Sequence, residues 1–246
     1  MALALLADIH ANLEALRTCL AHARERGADR FAFLGDLVGY GADPGAVIDI
    51  VAEHAARGAV VVKGNHDAAI AAEDSYLNES AVAAIRWSRD VLTRGQRAFL
   101  DSLPLCVRDE RVCFVHASAA VPDRWDYVDS TGAAERSSRA AERPYTFSGH
   151  VHHQVLYGED AKRRMIAFRP QPGVPVPARA HRSWLALVGS VGQPRDGHPS
   201  AAYALCDLDR ARITFHRVPY DNLAAAAKVR AAGLPDVLAY RLEKGV

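Results

Sequence analysis

The chain has 246 residues, half of them hydrophobic and 24% charged, with 30 basic against 29 acidic side chains. That balance excludes an intrinsically disordered chain, and it excludes a general nucleic-acid binder, which carries a basic surplus. No apolar run approaches the ~20 residues of a transmembrane helix, and the length suits one α/β domain spanning residues 1–246.

Residues 2–7 form a short continuous apolar run that suits a buried strand. They lack a basic leader and are interrupted by Asp8 and His10, so no secretory signal is expected. Asn12 can cap a following helix, of which Leu13, Leu16 and Leu20 mark one face. Residues 31–34 and 59–62 read as second and third strands. Between them Pro44 opens a helix to about residue 56, since proline is favoured in a first turn. This β-α-β-α-β order predicts a sheet with helices on its faces. Residues 68–103 are alanine-rich and helical, and Pro104 stops them. Two short strands are expected at 105–108 and 111–115, with Asp109-Glu110 as their turn. A small helix over 135–142 follows, then strands at 145–148 and 154–157 around a His-rich loop. Residues 170–177 hold four prolines and read as a rigid extended loop. Around it Lys162, Arg163, Arg164, Arg169, Arg179 and Arg182 form a basic concentration. It is either a solvated hairpin and loop or a rim that attracts an anionic substrate. A final hairpin is expected from 201–207 and 213–218, followed by two helices broken at Gly233-Leu234-Pro235. The cysteines, Cys19, Cys106, Cys113 and Cys206, show no Cys-x-x-Cys spacing. That argues against a disulfide framework and a zinc knuckle, and places the chain in a reducing cytoplasm, away from membranes.

The chemistry lies in five short segments, each just after an expected strand: Asp8-Ile9-His10, Gly35-Asp36, Gly64-Asn65-His66-Asp67, His116, and Gly149-His150-Val151-His152. Loops at strand carboxyl ends are where open α/β sheets place ligands. Residues two apart in extended chain point to one side, so Asp8 and His10 can converge on one ion, and likewise His150 and His152. Each segment alone is also an ordinary turn, and the joint, ordered occurrence is what points to metal. The donors are carboxylate, imidazole and amide without thiolate, which favours Mn, Fe, Co, Ni or Zn. Seven such groups are too many for one tetrahedral ion. They suit two ions sharing a bridging carboxylate, roughly 3.5–4 Å apart.

This ordered set resembles the calcineurin-like metallophosphoesterase superfamily over essentially the whole chain, and in particular its small bacterial and archaeal phosphodiesterase-like branch. The stretches Gly35-Asp36-Leu37-Val38-Gly39-Tyr40-Gly41 and Gly189-Ser190-Val191-Gly192-Gln193-Pro194-Arg195-Asp196 look typical of it, as does Gly233-Leu234-Pro235. The resemblance implies a four-layer α-β-β-α sandwich with a dimetal site where two sheets meet. It implies that Asp8, His10 and His152 hold one ion, that Asp36 bridges, and that Asn65, His116 and His150 hold the other. His66 would face the substrate as electrophile or general acid, with Asp67 orienting it. His153 is an extra imidazole whose neighbour position points it away from the site. The implied cofactors are two divalent transition-metal ions, Mn first, with Fe, Zn, Ni or Co as alternatives. The implied reaction is phosphoester hydrolysis by a metal-bridging hydroxide, with His66 assisting the leaving oxygen.

Protein phosphatases and dinucleoside polyphosphatases of this superfamily place a phosphate-clamping arginine after Gly-Asp, where this chain reads Gly39-Tyr40-Gly41. Its nucleases are longer, with a DNA-facing domain. The expectation is therefore a small phosphodiester or phosphomonoester, or a nucleotide, as substrate, with a dinucleoside polyphosphate or phosphoprotein phosphatase as the alternative. Arg195, or Arg124 near Trp125, could supply the missing positive charge, the alternative for either being an ordinary surface arginine. A non-catalytic metal-bound scaffold is the reading from another class, as in the retromer subunit that resembles these enzymes. That subunit looks degenerate at the match to His66, which this chain keeps. Association into a homo-oligomer is left open.

Overall fold

A computed structural model of the chain describes residues 2–72 and 78–246. β1 (Ala2–Leu6) leads into α1 (Leu13–Glu25), whose first turn is capped by the Asn12 side chain accepting from the Ala15 amide at 3.1 Å. β2 (Ala28–Phe33), α2 (Pro44–Ala56) and β3 (Val60–Val61) complete the expected β-α-β-α-β run. The stretch 68–103 divides instead of forming one helix. α3 (Asn65–Ala69) opens on the Gly-Asn-His-Asp segment, and α4 (Glu79–Val91) and α5 (Arg94–Ser102) follow. Asn78 caps α4, and Thr93 with Gln96 forms a capping box on α5. Residues 73–77 of that expected helix lie outside the described residues.

β4 (Cys106–Arg108) and β5 (Val112–Val115) form the expected hairpin. It brings the Cys106 and Cys113 sulfurs within 3.5 Å, a proximity their spacing did not announce; all four cysteines are free thiols. α6 (Thr131–Ala141) precedes β6 (Tyr145–Ser148) and β7 (Gln154–Glu159). Then come β8 (Met165–Phe168), β9 (Val176–Pro177) and β10 (Trp184–Val188), three strands absent from the sequence reading. β9 shows that the proline-rich stretch is not wholly loop: two of its residues pair with the sheet edge, where proline is tolerated. β11 (Ala201–Asp207) and β12 (Arg212–Val218) form the final hairpin. α7 (Asn222–Ala231) and α8 (Asp236–Lys244) close the chain across Gly233.

Among the described residues the strands make two six-stranded sheets, ordered β3-β2-β1-β11-β12-β9 and β4-β5-β6-β10-β7-β8. The unbroken apolar character of β1 follows from its place between layers. Leu3 and Leu5 enter the core shared by the two sheets, with Phe114, Phe147 and Val188 of the second. Ala4 and Leu6 point the other way, into the core under α1 and α2. β10 behaves alike: Ala186 and Val188 face the shared core, while Leu185 and Leu187 pack beneath Ala133 and Ala134 of α6. The result is a four-layer α-β-β-α sandwich, as expected. No helix among the described residues is long and apolar enough to cross a membrane.

β1, β2 and β3 run parallel in one sheet, and β5, β6 and β10 run parallel in the other. Their carboxyl ends carry Asp8 and His10, Asp36, Asn65, His116, His150 and His152. The segment after β10 carries Gln193 and Arg195 in the same way. The topology therefore gathers six chain crossings into one place.

Candidate metal centre

The local backbone differs from the extended chain expected at the paired ligands. Asp8, His10, Asp36, His150 and His152 all take positive φ, between 49° and 67°. Side chains with a Cβ disfavour this region, and such residues persist only where surrounding contacts fix them. Here the loops fix one another. Asp8 N donates to Gly35 O and His10 N to Asp36 O, while Val191 N and Gly192 N donate to Ala7 O and Asp8 O. The His150 amide donates to both oxygens of the Asp8 carboxylate at 3.0 Å. Gly149 allows this approach, since a Cβ there would meet Ala7 Cβ at 2.5 Å and Asp8 Oδ2 at 2.7 Å.

Two groups of buried donors result. Asp8, His10, Asp36 and His152 offer atoms all within 4.8 Å of one another, and Asp36, His116 and His150 do the same. Asp36 is common to both. His150 and His152 fall into different groups, so they do not converge on one ion as simple alternation suggests. Asn65 Oδ1 stands 3.1 Å from His116 Nε2 and joins the second group.

The hydrogen bonds fix which nitrogens face inwards. Nδ1 of His10, His116 and His152 each lies within 3.1 Å of a backbone carbonyl, of Val38, Leu34 and Gln193 respectively. A carbonyl only accepts, so each Nδ1 carries the proton, and Nε2 is turned inwards. Burial keeps His10 and His152 well below the usual imidazole range, hence neutral. Their Nε2 atoms nonetheless stand 3.1 Å apart. Two lone pairs at that separation repel unless a cation lies between them and the carboxylates.

The second group shows the same demand. Burial opposes the charge on His116, but the Asp36 carboxylate at 3.4 Å raises it to about 9. Burial also opposes ionisation of Asp36, yet the His116 and His66 imidazoles hold it well below the carboxylate range. Burial pushes Asp8 up to about 7 and His150 down to about 3. A buried site with two carboxylates, an amide oxygen, the neutral imidazoles of His10, His150 and His152, and a His116 that an ion would have to deprotonate fits a pair of divalent ions; thiolate-loving metals have no ligand here.

A cavity of about 710 Å³ opens onto these groups, lined by Asp36, Tyr40, Asn65, His66, Trp125 and Arg195 among others. The His66 ring packs 4.5 Å from the Tyr40 ring and 4.9 Å from the His10 ring. Its backbone amide donates to Asp36 Oδ1 at 2.9 Å. Asp67 sits differently from expectation. Its carboxylate accepts from the amides of Leu37, Val38 and Gly64 at 2.8, 3.3 and 2.9 Å, which ties the Gly-Asp loop to α3 and leaves the His66 ring to other contacts.

Arg195 is half-buried, its Nε and Nη2 held by Gln193 Oε1 and its guanidinium 5.5 Å from the Tyr40 ring centre. His153 points away from the ligands, its Nε2 2.8 Å from the Arg195 carbonyl. Arg124 lines the cavity but is exposed and paired with Asp126 at 3.4 Å. The basic concentration takes the solvated-hairpin course. Arg163 and Arg164 pair with Glu159 and Asp160 on the β7–β8 turn, and none of the six residues lines the cavity. The sequence alone gives no role to Tyr40, Gln193, Trp125 or Tyr127, all but Gln193 of which line the cavity. For Tyr40 and Gln193 the signal was present, because both stand in the quoted motif stretches.

Residues 1–211 match the model of the calcineurin-like phosphoesterase superfamily domain. The chain is 31% identical over 249 residues to an uncharacterized protein of Methanocaldococcus jannaschii, covering 99% of this chain and 98% of that one. A metallophosphoesterase from Sphaerobacter thermophilus superposes with a TM-score of 0.90 at 35% identity, over 100% of this chain and 99% of the other. A hypothetical protein from Pyrococcus horikoshii OT3 superposes at 0.80 with 20% identity, over 100% and 98%, a likeness of fold. The parallel strand ends, the paired donor groups and these similarities agree: the chain belongs to the calcineurin-like phosphoesterase superfamily, which implies a phosphoester hydrolase that works with divalent metals.

Proposed function

We propose that this chain hydrolyses small phosphoesters, with diesters accepted at least as well as monoesters. The observation that carries the reading is the pair of buried donor groups sharing Asp36 at the floor of one cavity. Asp8, His10, Asp36 and His152 would hold one ion, and Asp36, Asn65, His116 and His150 the other, with Mn the first candidate. When bound, such ions neutralise phosphoryl oxygens and lower the pKa of water enough to make a nucleophile near neutral pH.

The chain's own residues supply the rest. Hydrogen bonds from the His150 and His66 amides orient the Asp8 and Asp36 carboxylates before substrate arrives. His66, in the cavity wall beside Tyr40, donates a hydrogen bond or proton towards the leaving oxygen. Arg195 binds a phosphoryl oxygen, its guanidinium steadied by Gln193 and the Tyr40 ring where family phosphatases use an arginine after Gly-Asp. Asp67 acts through the loop and is a positioning residue. One guanidinium without a second clamp gives little selectivity for a dianion.

The test compares bis(p-nitrophenyl) phosphate with p-nitrophenyl phosphate in a Mn²⁺-supplemented assay. The diester should match or exceed the monoester in kcat/KM. A monoester preference of about a hundredfold, ~2.7 kcal/mol, would return the reading to a phosphatase.

A further inference from the structure

One wall of the cavity carries residues that the proposed reaction does not use. After β5 the chain makes a short 3-10 turn, Pro122–Arg124, and then presents Trp125 and Tyr127, both of which line the cavity. Trp125 takes a left-handed backbone, φ 56°, which places a bulky aromatic where side chains rarely sit. Its ring lies 6.0 Å from that of His116 at 70°. Tyr127 stacks on His150 with centroids 4.2 Å apart and planes at 25°, yet remains 55% exposed. Two aromatic rings thus pack against the second donor group in the cavity wall.

A phosphoryl group alone does not need this wall. A cavity of about 710 Å³ is of the size that takes a whole small molecule. The charges around it are unequal. Arg195 lies towards the first group, its guanidinium 5.5 Å from the Tyr40 ring, which itself packs 4.5 Å from the His10 ring. The aromatic wall keeps company with Asn78, Asp123, Arg124 and Asp126, and Arg124 is paired with Asp126 at 3.4 Å. The Asp123 carboxylate and the Asn78 amide oxygen can accept hydrogen bonds from amino groups. Flat, uncharged and rich in N–H edges is the description of a nucleobase, and aromatic side chains stack on its π-face.

We infer that Trp125 and Tyr127 form a stacking platform for a nucleobase, so that the substrate is a nucleotide phosphoester whose phosphoryl end lies at the donor groups. The placement of the phosphoryl end rests on the phosphoesterase reading; the platform itself does not.

The experiment uses the Mn²⁺-loaded protein. Calorimetric titration with adenosine and with ribose, neither of which carries a phosphoester, reads the platform alone. Adenosine should bind at least tenfold tighter than ribose. Tyr127→Ala and Trp125→Ala should each reduce that preference about tenfold, and Trp125→Phe should restore part of it. Kinetics with AMP and ribose 5-phosphate read the whole substrate, and AMP should lead by at least tenfold in kcat/KM. Equal binding of adenosine and ribose would overturn the inference, and this wild-type comparison stands even if a variant fails to fold. Phenyl phosphate turned over as efficiently as AMP would also overturn it, since a generic aromatic would then suffice. Turnover of AMP and ribose 5-phosphate at equal rates sinks the platform and leaves the phosphoesterase reading intact. Ring-dependent adenosine binding without any turnover would do the reverse.

Discussion

Replacing Gly39 by alanine separates the role of the His66 ring from the stability of the loop that faces it. Gly39 has φ +85°, and a Cβ built on it runs into Nδ1 of His66. Two effects follow. An alanine in the left-handed region costs ~1–2 kcal/mol of stability. The new methyl also pushes the imidazole aside by about 1 Å, and a displacement of that size in a catalytic group costs about a hundredfold in rate. Gly58 provides the control. Its φ is +90°, and nothing lies within 4 Å of its Cβ position, so Gly58→Ala carries the backbone strain without the contact. Urea unfolding should show both variants destabilised by a similar ~1–2 kcal/mol. Only Gly39→Ala should lose turnover, by about a hundredfold or ~2.7 kcal/mol of barrier, with bound metal unchanged. Retention of activity within a few-fold of wild type by Gly39→Ala would refute the placement of His66 in the reaction. Equal activity losses in both variants would show that loop strain alone was being measured.

Three further outcomes are expected. Asp36→Ala should empty both ion positions and abolish activity, whereas Asn65→Ala should weaken mainly one; elemental analysis showing two ions per chain in Asp36→Ala would disprove the bridge. His66→Asn should slow alkyl-leaving substrates by roughly 10²–10⁴-fold and p-nitrophenyl substrates much less, with metal retained; equal losses would mean that His66 stabilises phosphoryl oxygens without giving a proton. Away from the site, burial lowers His216 to about 4, with the His22 ring at 5.2 Å, the Tyr203 ring at 5.0 Å and Arg26 as its titratable and charged neighbours. The unfolded chain takes up this proton near pH 6.5 and the folded chain does not. Stability therefore falls as pH drops through 6.5 and levels near 4, by up to about 2 kcal/mol between pH 8 and pH 5. His216→Phe should remove that component in urea titrations; parallel pH profiles for variant and wild type would rule it out.

The strands that hold the site were legible because they are short apolar runs ending in Asp, His or Asn, and both of their faces are covered. β10 has the same character, Trp184-Leu185-Ala186-Leu187-Val188, yet its neighbours disguised it. It follows a proline-rich, arginine-rich stretch whose composition announces loop, and its own pairing, between β6 and β7, is non-local. β10 also determines where Arg195 lies. Without it, Arg195 is a loop residue of unknown place; with it, Arg195 follows a parallel strand end like every candidate ligand. The helical stretch 68–103 was overextended for the opposite reason. Alanine-rich composition carries high helix propensity, and the caps at Asn78 and Thr93, which interrupt it, act through single side chains.

The candidate ligands were legible as residue types, but their sorting was not. Alternation in an extended chain pairs His150 with His152, and the structure divides them because neither is extended. Both take left-handed φ, which turns His150 towards His116 and His152 towards His10. No propensity announces a histidine or aspartate in that conformation. It is held by hydrogen bonds between loops far apart in sequence: Asp8 N to Gly35 O at one sheet, Gly149 N to His116 O at the other, and His150 N to the Asp8 carboxylate between them. The same bonds fix which imidazole nitrogens face inwards, since the carbonyls of Val38, Leu34 and Gln193 take the Nδ1 protons. The fold thus sets lone pairs and carboxylates against one another. Its cost is set against the hydrophobic burial of two cores, and it is recovered when cations enter. A protein built this way should be more stable with metal than without, and the sequence carries that coupling only as the order in which its strands end.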